Sequence, residues 1–273
     1  LVMFPIKYHH PKTIAEAQNI YAGCENPSFL SGGHTLLPAM KLRLASPSDL
    51  IDLGGIPDLR GIAVEAGTLS IGAATLHAHV AASAAVRKHI PALAGLAGSI
   101  GDRHVRHRGT IGGSISNNDP AADYPASALA LRATIVTNKR RIVADDFFVG
   151  LYETARQTDE IATRIEFPIP DSAGYAKFLS PASRFSIAGV FIARTGRNVR
   201  VAVTGAGAGG VFRAADLEAA LSGDFRSEAL ANCTIDAGTM MGDHNGTPEY
   251  RANLVMVMAR RAVENMGGIK VFK

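Results

Sequence analysis

The sequence predicts an α+β fold in several lobes, because its helix and strand signals do not alternate regularly as they do in a parallel α/β sheet. Strand candidates are concentrated in the middle of the chain, and helix candidates stand near its start and its end. Pro168, Pro170 and Gly174 mark a boundary between domains. With 273 residues, 47% of them hydrophobic, the chain is long enough for one large domain or two to three smaller ones.

A helix opens the N-terminal segment. Thr13 and Glu16 have the spacing of a capping box, in which each side chain binds a free amide of the first turn. This predicts a helix over Ile14–Tyr21 that Gly23 ends. The strand candidates that follow are Phe29–Ser31, Asp49–Leu53 and Leu69–Ile71.

Further elements lie on both sides of the domain boundary. A helix is predicted over Pro91–Ile100, with proline in its first turn and a face of Ala and Gly that allows close packing. The remaining strand candidates are Ala133–Thr137, Arg141–Val143, Glu160–Phe167, Ile187–Ala193 and Val199–Thr204. The remaining helix candidates are Ala214–Leu221 and Glu249–Asn265, the latter ended by Gly267 and Gly268.

Two glycine-rich segments are the main functional signal. They are Ser31–Leu37 (SGGHTLL) and Arg108–Ser114 (RGTIGGS). Glycine lets a backbone approach a bound group closely, and successive N–H groups in such a turn form a nest for anionic oxygens. Two such segments, each with Gly-Gly beside a Thr hydroxyl, suit two adjacent phosphates and therefore a dinucleotide.

A third glycine-rich segment, Gly205–Gly210, matches the GxGxxG pattern and follows a predicted strand. Its context is wrong for a Rossmann site, because the next helix is soon broken and no strand ending in an acidic residue follows. We interpret this segment as a strand-to-helix turn.

The composition argues against an iron–sulfur protein and against a nucleic-acid-binding protein. Cys24 and Cys233 are the only cysteines, too few for an iron–sulfur cluster and too far apart to indicate a disulfide framework. The net charge of +4 permits anionic partners, but basic residues cluster only at Arg103–Arg108 and aromatics are few, so no nucleic-acid surface is predicted. No apolar run could span a membrane and no signal peptide is recognisable, so we expect a cytoplasmic protein.

Catalytic and metal sites are not predicted. His9, His10, His77 and His79 form no recognisable constellation. His34 has no second ligand at a usable spacing, so a metal ligand is not its expected role.

Several segments together resemble the FAD-binding medium subunit of molybdenum hydroxylases, of which carbon monoxide dehydrogenase is an example, and the flavin domain of xanthine dehydrogenase. The strongest match is Val105–Ala126 (VRHRGTIGGSISNNDPAADYPA). The others, in chain order, are Phe4–Ala17, Ser31–Leu44, Asp49–Leu53 with Ile56 and Leu59, and Tyr175–Val190. The resemblance covers nearly the whole chain.

The resemblance implies a two-lobed FAD-binding domain of the vanillyl-alcohol-oxidase/PCMH type, followed by a C-terminal α+β domain in which helices back a sheet. The expected parts are an N-terminal α/β lobe over residues 1–54 and a middle α+β lobe over residues 55–170, with FAD bound non-covalently between them. A C-terminal flavoprotein domain would occupy residues 171–273.

The same resemblance implies the cofactor-binding residues. The first segment supplies Leu30, Ser31, Gly32, Gly33, His34, Thr35, Leu36 and Leu37, and the second supplies Thr110, Gly112, Gly113 and Ser114. Ile100, Asp123, Ala162 and Lys177 complete the set.

Several of these residues have a second interpretation besides cofactor binding. Gly32 and Gly33 would bring amides to the pyrophosphate, or simply form a tight turn. Asp123 would accept hydrogen bonds from the adenosine ribose, or serve as the first carboxylate of a helix. Lys177 would lie near the flavin and stabilise its reduced anionic form, or be a solvated strand lysine. Ile100 would pack near the cofactor or in the core.

The implied function is that of an FAD-binding electron-transfer subunit. A large partner subunit with a molybdenum cofactor would oxidise the substrate, and a small partner with 2Fe–2S clusters would relay electrons to FAD. The acceptor would be NAD, oxygen or a quinone, and the expected assembly is a dimer of heterotrimers. The alternatives are a free-standing NAD(P)H-dependent flavin reductase of the same superfamily and a non-redox phosphate-binding module.

Overall fold

The computed structural model describes residues 4–272 of the chain. Residues 1–3 and 273 lie outside the described residues, and with them part of the segment on which the expectation of no signal peptide rests. The described chain contains sheets of three, five and five strands and a short two-stranded pair. The fold is therefore α+β, as the sequence predicts.

Residues 7–52 form a small lobe around a parallel sheet. Its elements are β1 (Lys7–His9), α1 (Ile14–Ala22), β2 (Pro27–Leu30), α2 (Leu36–Lys41) and β3 (Asp49–Asp52). β3 lies between β1 and β2. The Thr13 hydroxyl caps α1 as predicted and accepts a hydrogen bond from the Glu16 amide at 3.1 Å. The Glu16 carboxylate accepts from the amide of Lys12 rather than that of Thr13, so the reciprocal half of the box is shifted by one residue.

Residues 62–168 form an antiparallel sheet packed against short helices. The strands are β4 (Ile62–Glu65), β5 (Thr68–Gly72), β6 (Thr134–Thr137), β7 (Arg141–Val143) and β10 (Ala162–Pro168), with the outlying pair β8 (Phe148–Gly150) and β9 (Glu153–Thr154). The helices are α3 (His77–Ala82), α4 (Ala84–His89), α5 (Pro91–Ser99), α6 (Arg103–Arg106), α7 (Ile111–Asn117), α8 (Tyr124–Ala130) and α9 (Ala144–Phe147). The strand order is β4-β5-β10-β6-β7.

Residues 172–272 form a second five-stranded sheet backed by two helices. Its elements are β11 (Ser172–Leu179), β12 (Ser186–Thr195), β13 (Asn198–Thr204), β14 (Phe212–Arg213), α10 (Ala215–Gly223), α11 (Pro248–Val263) and β15 (Ile269–Phe272). The strand order is β14-β13-β12-β11-β15, and only β15 joins its neighbour in parallel. Among residues 4–272, no helix is at once long and apolar enough to cross a bilayer.

The C-terminal sheet is buried on both faces because its side chains alternate between two cores. Val190 and Val201 pack with α10 and α11 on one face. Tyr175, Phe191 and Ala202 point the other way and share a core with the helices of the middle lobe. All seven residues of α8 are buried, and α8 contacts β12 and β13. The middle lobe and the C-terminal sheet therefore pack as one body.

A buried ion pair stabilises the contact between the middle lobe and the C-terminal sheet. Lys177, on β11, is fully buried and donates to both carboxylate oxygens of Asp123, at 3.0 and 2.9 Å, just before α8. Ser186 donates to the same carboxylate at 2.8 Å, and the Tyr175 hydroxyl donates as well. Burial and the negative charge of Asp123 raise the pKa of Tyr175 well above its usual value, so the phenol remains a donor.

A second buried carboxylate closes the β6–β7 hairpin onto the segment before β10. Glu160 accepts from the Thr137 hydroxyl at 2.6 Å and from Arg140 at 3.1 Å. Burial raises the pKa of Glu160, but these hydrogen bonds outweigh burial and lower the pKa to about 2. The ionised form of Glu160 is therefore the one that holds the hairpin.

The structure contains helices and strands that the sequence did not predict, among them α3, α8 and β11. Residues 111–114, predicted as the end of the glycine-rich segment Arg108–Ser114, form the first part of α7, whose first turn is capped by the Thr110 hydroxyl through a 3.1 Å hydrogen bond from the Gly113 amide. The strand-to-helix turn predicted at residues 205–210 is wrong in one respect, because the short strand β14 pairs with β13 before α10 begins. The twelve helices and strands predicted from local patterns are all present, with ends shifted by a few residues.

Lys177→Met is expected to reduce the free energy of unfolding by about 3–5 kcal/mol, since it leaves the Asp123 carboxylate buried without its cation. The measurement is equilibrium urea unfolding of the full chain. The double variant Asp123→Asn/Lys177→Met removes both charges and should recover part of the loss. Equal losses in the single and double variants would contradict the ion-pair explanation.

Glu160→Gln is expected to destabilise the chain in a pH-dependent way. The folded-state pKa of about 2 lies below the unfolded value, so the stabilisation is fully present above about pH 4.5 and is lost as the pH falls toward 2. The gap in unfolding free energy between parent and variant should therefore be largest near pH 6 and shrink in acid. Glu65→Gln, at an exposed strand end, is the matched control and should show no such gap.

Candidate cofactor-binding site

One cavity of about 540 Å³ lies where the small lobe, the middle lobe and the C-terminal sheet meet. The small lobe lines it with the end of β2 and the segment leading into α2, and the middle lobe with the region around α7. The C-terminal sheet contributes the tip of the β11–β12 hairpin, Ser183, Arg184 and Phe185. The volume falls in the range of small-molecule and cofactor sites.

The first glycine-rich segment presents free backbone donors to this cavity. Gly33 has φ +75°, a conformation that glycine adopts without strain. Among the hydrogen bonds of residues 4–272, none is donated by the backbone N–H groups of residues 32–36. All five of these residues line the cavity. Consecutive free amides on one cavity wall form a nest for an anionic group.

The two glycine-rich segments touch through their backbones. A Cβ on Gly32 would lie 2.5 Å from the Arg108 carbonyl oxygen and 2.7 Å from the Gly109 Cα, so only glycine fits at position 32. Beside this contact the hydroxyls of Ser31 and Thr110 are hydrogen-bonded at 2.8 Å. The first segment is thus held in place by the second.

The second segment has a different role from the first. The amides of Ile111 and Gly112 donate to the carbonyls of Thr75 and Ala73, and those of Gly113 and Ser114 donate to Thr110. A Cβ on Gly112 would lie 2.7 Å from the Ala73 carbonyl oxygen. Because Gly112 has no side chain, α7 can begin in close contact with Ala73, which follows β5. The second segment therefore lines the cavity, but the amides of residues 111–114 are already hydrogen-bonded within the protein.

The cavity brings together 14 of the 16 residues expected to bind the cofactor. They are Leu30, Ser31, Gly32, Gly33, His34, Thr35, Leu36, Ile100, Thr110, Gly112, Gly113, Ser114, Asp123 and Ala162. Leu37 is not in the lining; it packs beside Leu30 in the small lobe core. Lys177 is not in the lining either: it is fully buried behind Asp123 as the cation of an ion pair, so the alternative of a solvated strand lysine is wrong, while its place near the flavin stays a prediction.

Sequence reasoning missed His77, which lines the cavity from the start of α3. Its ring packs under the second segment, since a Cβ on Gly109 would lie 2.5 Å from His77 Nε2. Burial lowers the pKa of His77 to about 4, so the imidazole is neutral at physiological pH. Its Nδ1 is buried without a hydrogen-bond partner in the described chain.

Arg156 and Phe185 are two of the other cavity residues that lie outside the predicted set. Arg156 brings a guanidinium to the lining and is held by the Glu160 carbonyl at 2.6 Å. Phe185 is half exposed at the hairpin tip and gives the lining an aromatic ring. The signal for Phe185 was present in the segment Tyr175–Val190, but only the pairing of β11 with β12 shows that its turn reaches the cavity.

This arrangement fits a dinucleotide. Free amides suit a pyrophosphate, while aliphatic side chains and Phe185 suit planar rings. Asp123 Oδ1 accepts from Lys177, Tyr175 and Ser186, whereas Oδ2 accepts only from Lys177, which leaves it capacity to accept from a hydroxyl.

Comparison with known proteins agrees with this geometry. Residues 4–170 match the family model described as the FAD binding domain in molybdopterin dehydrogenase. The nicotine 6-hydroxylase medium subunit of Paenarthrobacter nicotinovorans is 34% identical over 96% of this chain and 97% of its own length. The carbon monoxide dehydrogenase medium chain of Hydrogenophaga pseudoflava is 34% identical over 94% of this chain and 95% of its own.

Solved structures give the same result for the fold. A chain of the reconstituted CO dehydrogenase from Oligotropha carboxidovorans superposes with a TM-score of 0.89 and 30% identity, over 98% of this chain and 99% of that one. The predicted resemblance is confirmed. The chain belongs to the family of FAD binding domains in molybdopterin dehydrogenases and is an FAD-binding component of an oxidoreductase.

Proposed function

We propose that this chain is the electron-transfer subunit of a molybdenum-containing hydroxylase or dehydrogenase. It takes electrons from 2Fe–2S clusters of a small partner subunit and passes them to an external acceptor, which is NAD, oxygen or a quinone. A large partner subunit carries the molybdenum cofactor and oxidises the substrate. The observation that carries the proposal is the row of free amides at residues 32–36 in the cavity between the lobes.

The residues that would hold FAD follow from the cavity. The amides of residues 32–36 bind the pyrophosphate, with Ser31 and Thr110 fixing their position. Asp123 accepts from a ribose hydroxyl, and Ile100, Ala162 and Phe185 pack against the ring systems. Neither cysteine of the chain lines the cavity, and binding is non-covalent.

A bound flavin exchanges electrons singly or in pairs and so links one-electron and two-electron partners. The protein contributes a fixed electrostatic setting. The Asp123 carboxylate lies 2.9 Å from the Lys177 ammonium in a buried ion pair. Burial lowers the pKa of His77 to about 4, so a neutral imidazole lies beneath the second segment.

The proposed electron transfer requires partner subunits, because this chain cannot hold an iron–sulfur cluster itself. Two cysteines cannot ligate an iron–sulfur cluster, which needs about four ligands. Two relatives are named as a medium subunit and a medium chain, which supports partners both larger and smaller than this chain. The proposed assembly is a dimer of heterotrimers.

The first test is the absorption spectrum of the purified chain, with and without added FAD, followed by heat release and chromatography. Flavin bands and free FAD in the supernatant are expected. A colourless protein that also fails to take up added FAD would contradict the proposal. Oxidation of NAD(P)H by the chain alone would instead favour a free-standing flavin reductase.

Gly33→Asp is expected to weaken FAD binding by about a hundredfold or more, because it places a carboxylate among the amides and each 1.4 kcal/mol of repulsion is a factor of ten. The measurement is FAD binding followed by quenching of flavin fluorescence. Gly33→Asn is the matched control. It keeps the φ of +75° and the same Cβ contact, 2.9 Å from Leu37 Cδ1, but introduces no charge. Similar losses in both variants would mean that strain, not charge in the nest, removes binding.

A further inference from the structure

The small lobe brings three different metal-binding side chains together. His9 ends β1, Cys24 follows α1, and Asp49 begins β3. One ligand atom from each, an imidazole nitrogen, the thiol sulfur and a carboxylate oxygen, lies within 4.8 Å of the other two. The parallel pairing of β1 with β3 brings His9 close to Asp49, and Cys24 joins them from the segment that follows α1.

The buried Asp49 carboxylate lacks a permanent cation. Four carboxylates are buried in the described chain, those of Asp49, Asp123, Glu160 and Glu218. The last three are paired with Lys177, Arg140 and Arg213 respectively. Within salt-bridge distance among the described residues, Asp49 has only His9, whose Nε2 lies 2.7 Å from Oδ1. A buried carboxylate without a full positive charge is costly, so a cation is expected here.

Two hydrogen bonds hold the Asp49 carboxylate in a fixed orientation. His9 Nε2 lies 2.7 Å from Oδ1, and the Ser48 hydroxyl donates to Oδ2 at 2.7 Å. The carboxylate oxygens are therefore positioned beside the imidazole before any ion arrives.

The donor set selects the class of ion. Sulfur, nitrogen and oxygen donors together suit Zn²⁺, which proteins bind through Cys, His and Asp in tetrahedral sites. A thiolate disfavours the hard ions Mg²⁺ and Ca²⁺, which prefer oxygen. Three protein ligands leave a fourth position for water.

We propose that His9, Cys24 and Asp49 form a binding site for a thiophilic divalent cation of the zinc class. Binding replaces the hydrogen bond between His9 and Asp49 with bonds from both groups to the ion. His9 Nε2 becomes the ligand with the imidazole proton on Nδ1, and the Cys24 thiol becomes a thiolate as its proton passes to solvent. The ion connects the segment after α1 to β1 and β3. The positive charge of Lys7, which acts on Cys24, opposes the ion.

The site is separate from the cofactor cavity. Asp49 pairs with Pro27, at the amino end of β2, whereas Leu30 at the other end of β2 leads into the cavity. None of His9, Cys24 and Asp49 lines the cavity. Metal binding and FAD binding can therefore be measured independently.

The test is titration of the full chain with Cd²⁺, read by the ultraviolet thiolate-to-cadmium charge-transfer band, with Zn²⁺ added in competition. A saturable band that Zn²⁺ removes is expected. Cys24→Ser should abolish the band, and His9→Gln should weaken binding more than about tenfold, since even outer-sphere partners are worth that much. Cys233→Ser is the control, because it removes the other cysteine, and it should keep the band unchanged.

A second readout is the thermal midpoint with and without Zn²⁺. It should rise in the parent and in Cys233→Ser but not in Cys24→Ser, while flavin content stays the same in all three. Two outcomes would overturn the proposal. One is a cadmium band that survives Cys24→Ser. The other is the absence of a saturable cadmium band in the parent.

Discussion

The cofactor cavity depends on one close approach of two backbones, at Gly32 and Gly109. Because no Cβ separates them, Ser31 and Thr110 come within hydrogen-bond distance, and the first segment is fixed where residues 32–36, whose amides donate no hydrogen bond among the described residues, line the cavity. The two segments therefore have different roles. The amides of the second segment donate hydrogen bonds within the protein, so this segment forms a fixed wall of the cavity, whereas the amides of the first segment are free to bind a ligand.

The third wall of the cavity depends on a different interaction. The β11–β12 hairpin reaches the cavity because the C-terminal sheet packs against α8, and Asp123 with Lys177 fixes that packing at its buried centre. Oδ1 of the Asp123 carboxylate accepts three hydrogen bonds from the protein, whereas Oδ2 accepts one among the described residues and can accept another from a ligand. A single residue thus connects the stability of the domain contact with the chemistry of the cavity.

Local pattern predicted most of the longer elements and the first glycine-rich segment, because capping residues, turn residues and apolar alternation can be read from neighbouring positions. It did not predict elements that depend on tertiary contacts, such as the eight-residue strand β11, which lies between β12 and β15. α7 contains two glycines, and it is capped by Thr110 and packed against Ala73. No local signal distinguishes Lys177 from a solvated strand lysine, yet it is fully buried as the cation of Asp123. The approach of His9 to Asp49 depends on the parallel pairing of β1 with β3, which no local signal specifies.

The core shared by the middle lobe and the C-terminal sheet limits how the chain can be divided. The matched family segment ends at residue 170, but Tyr175, Phe191 and Ala202 fill the core beneath α8, and among the described residues the cation paired with Asp123 is Lys177. A chain cut after residue 170 would expose an apolar face and leave the Asp123 carboxylate buried without its cation. The folding of residues 4–170 therefore depends on the residues that follow them.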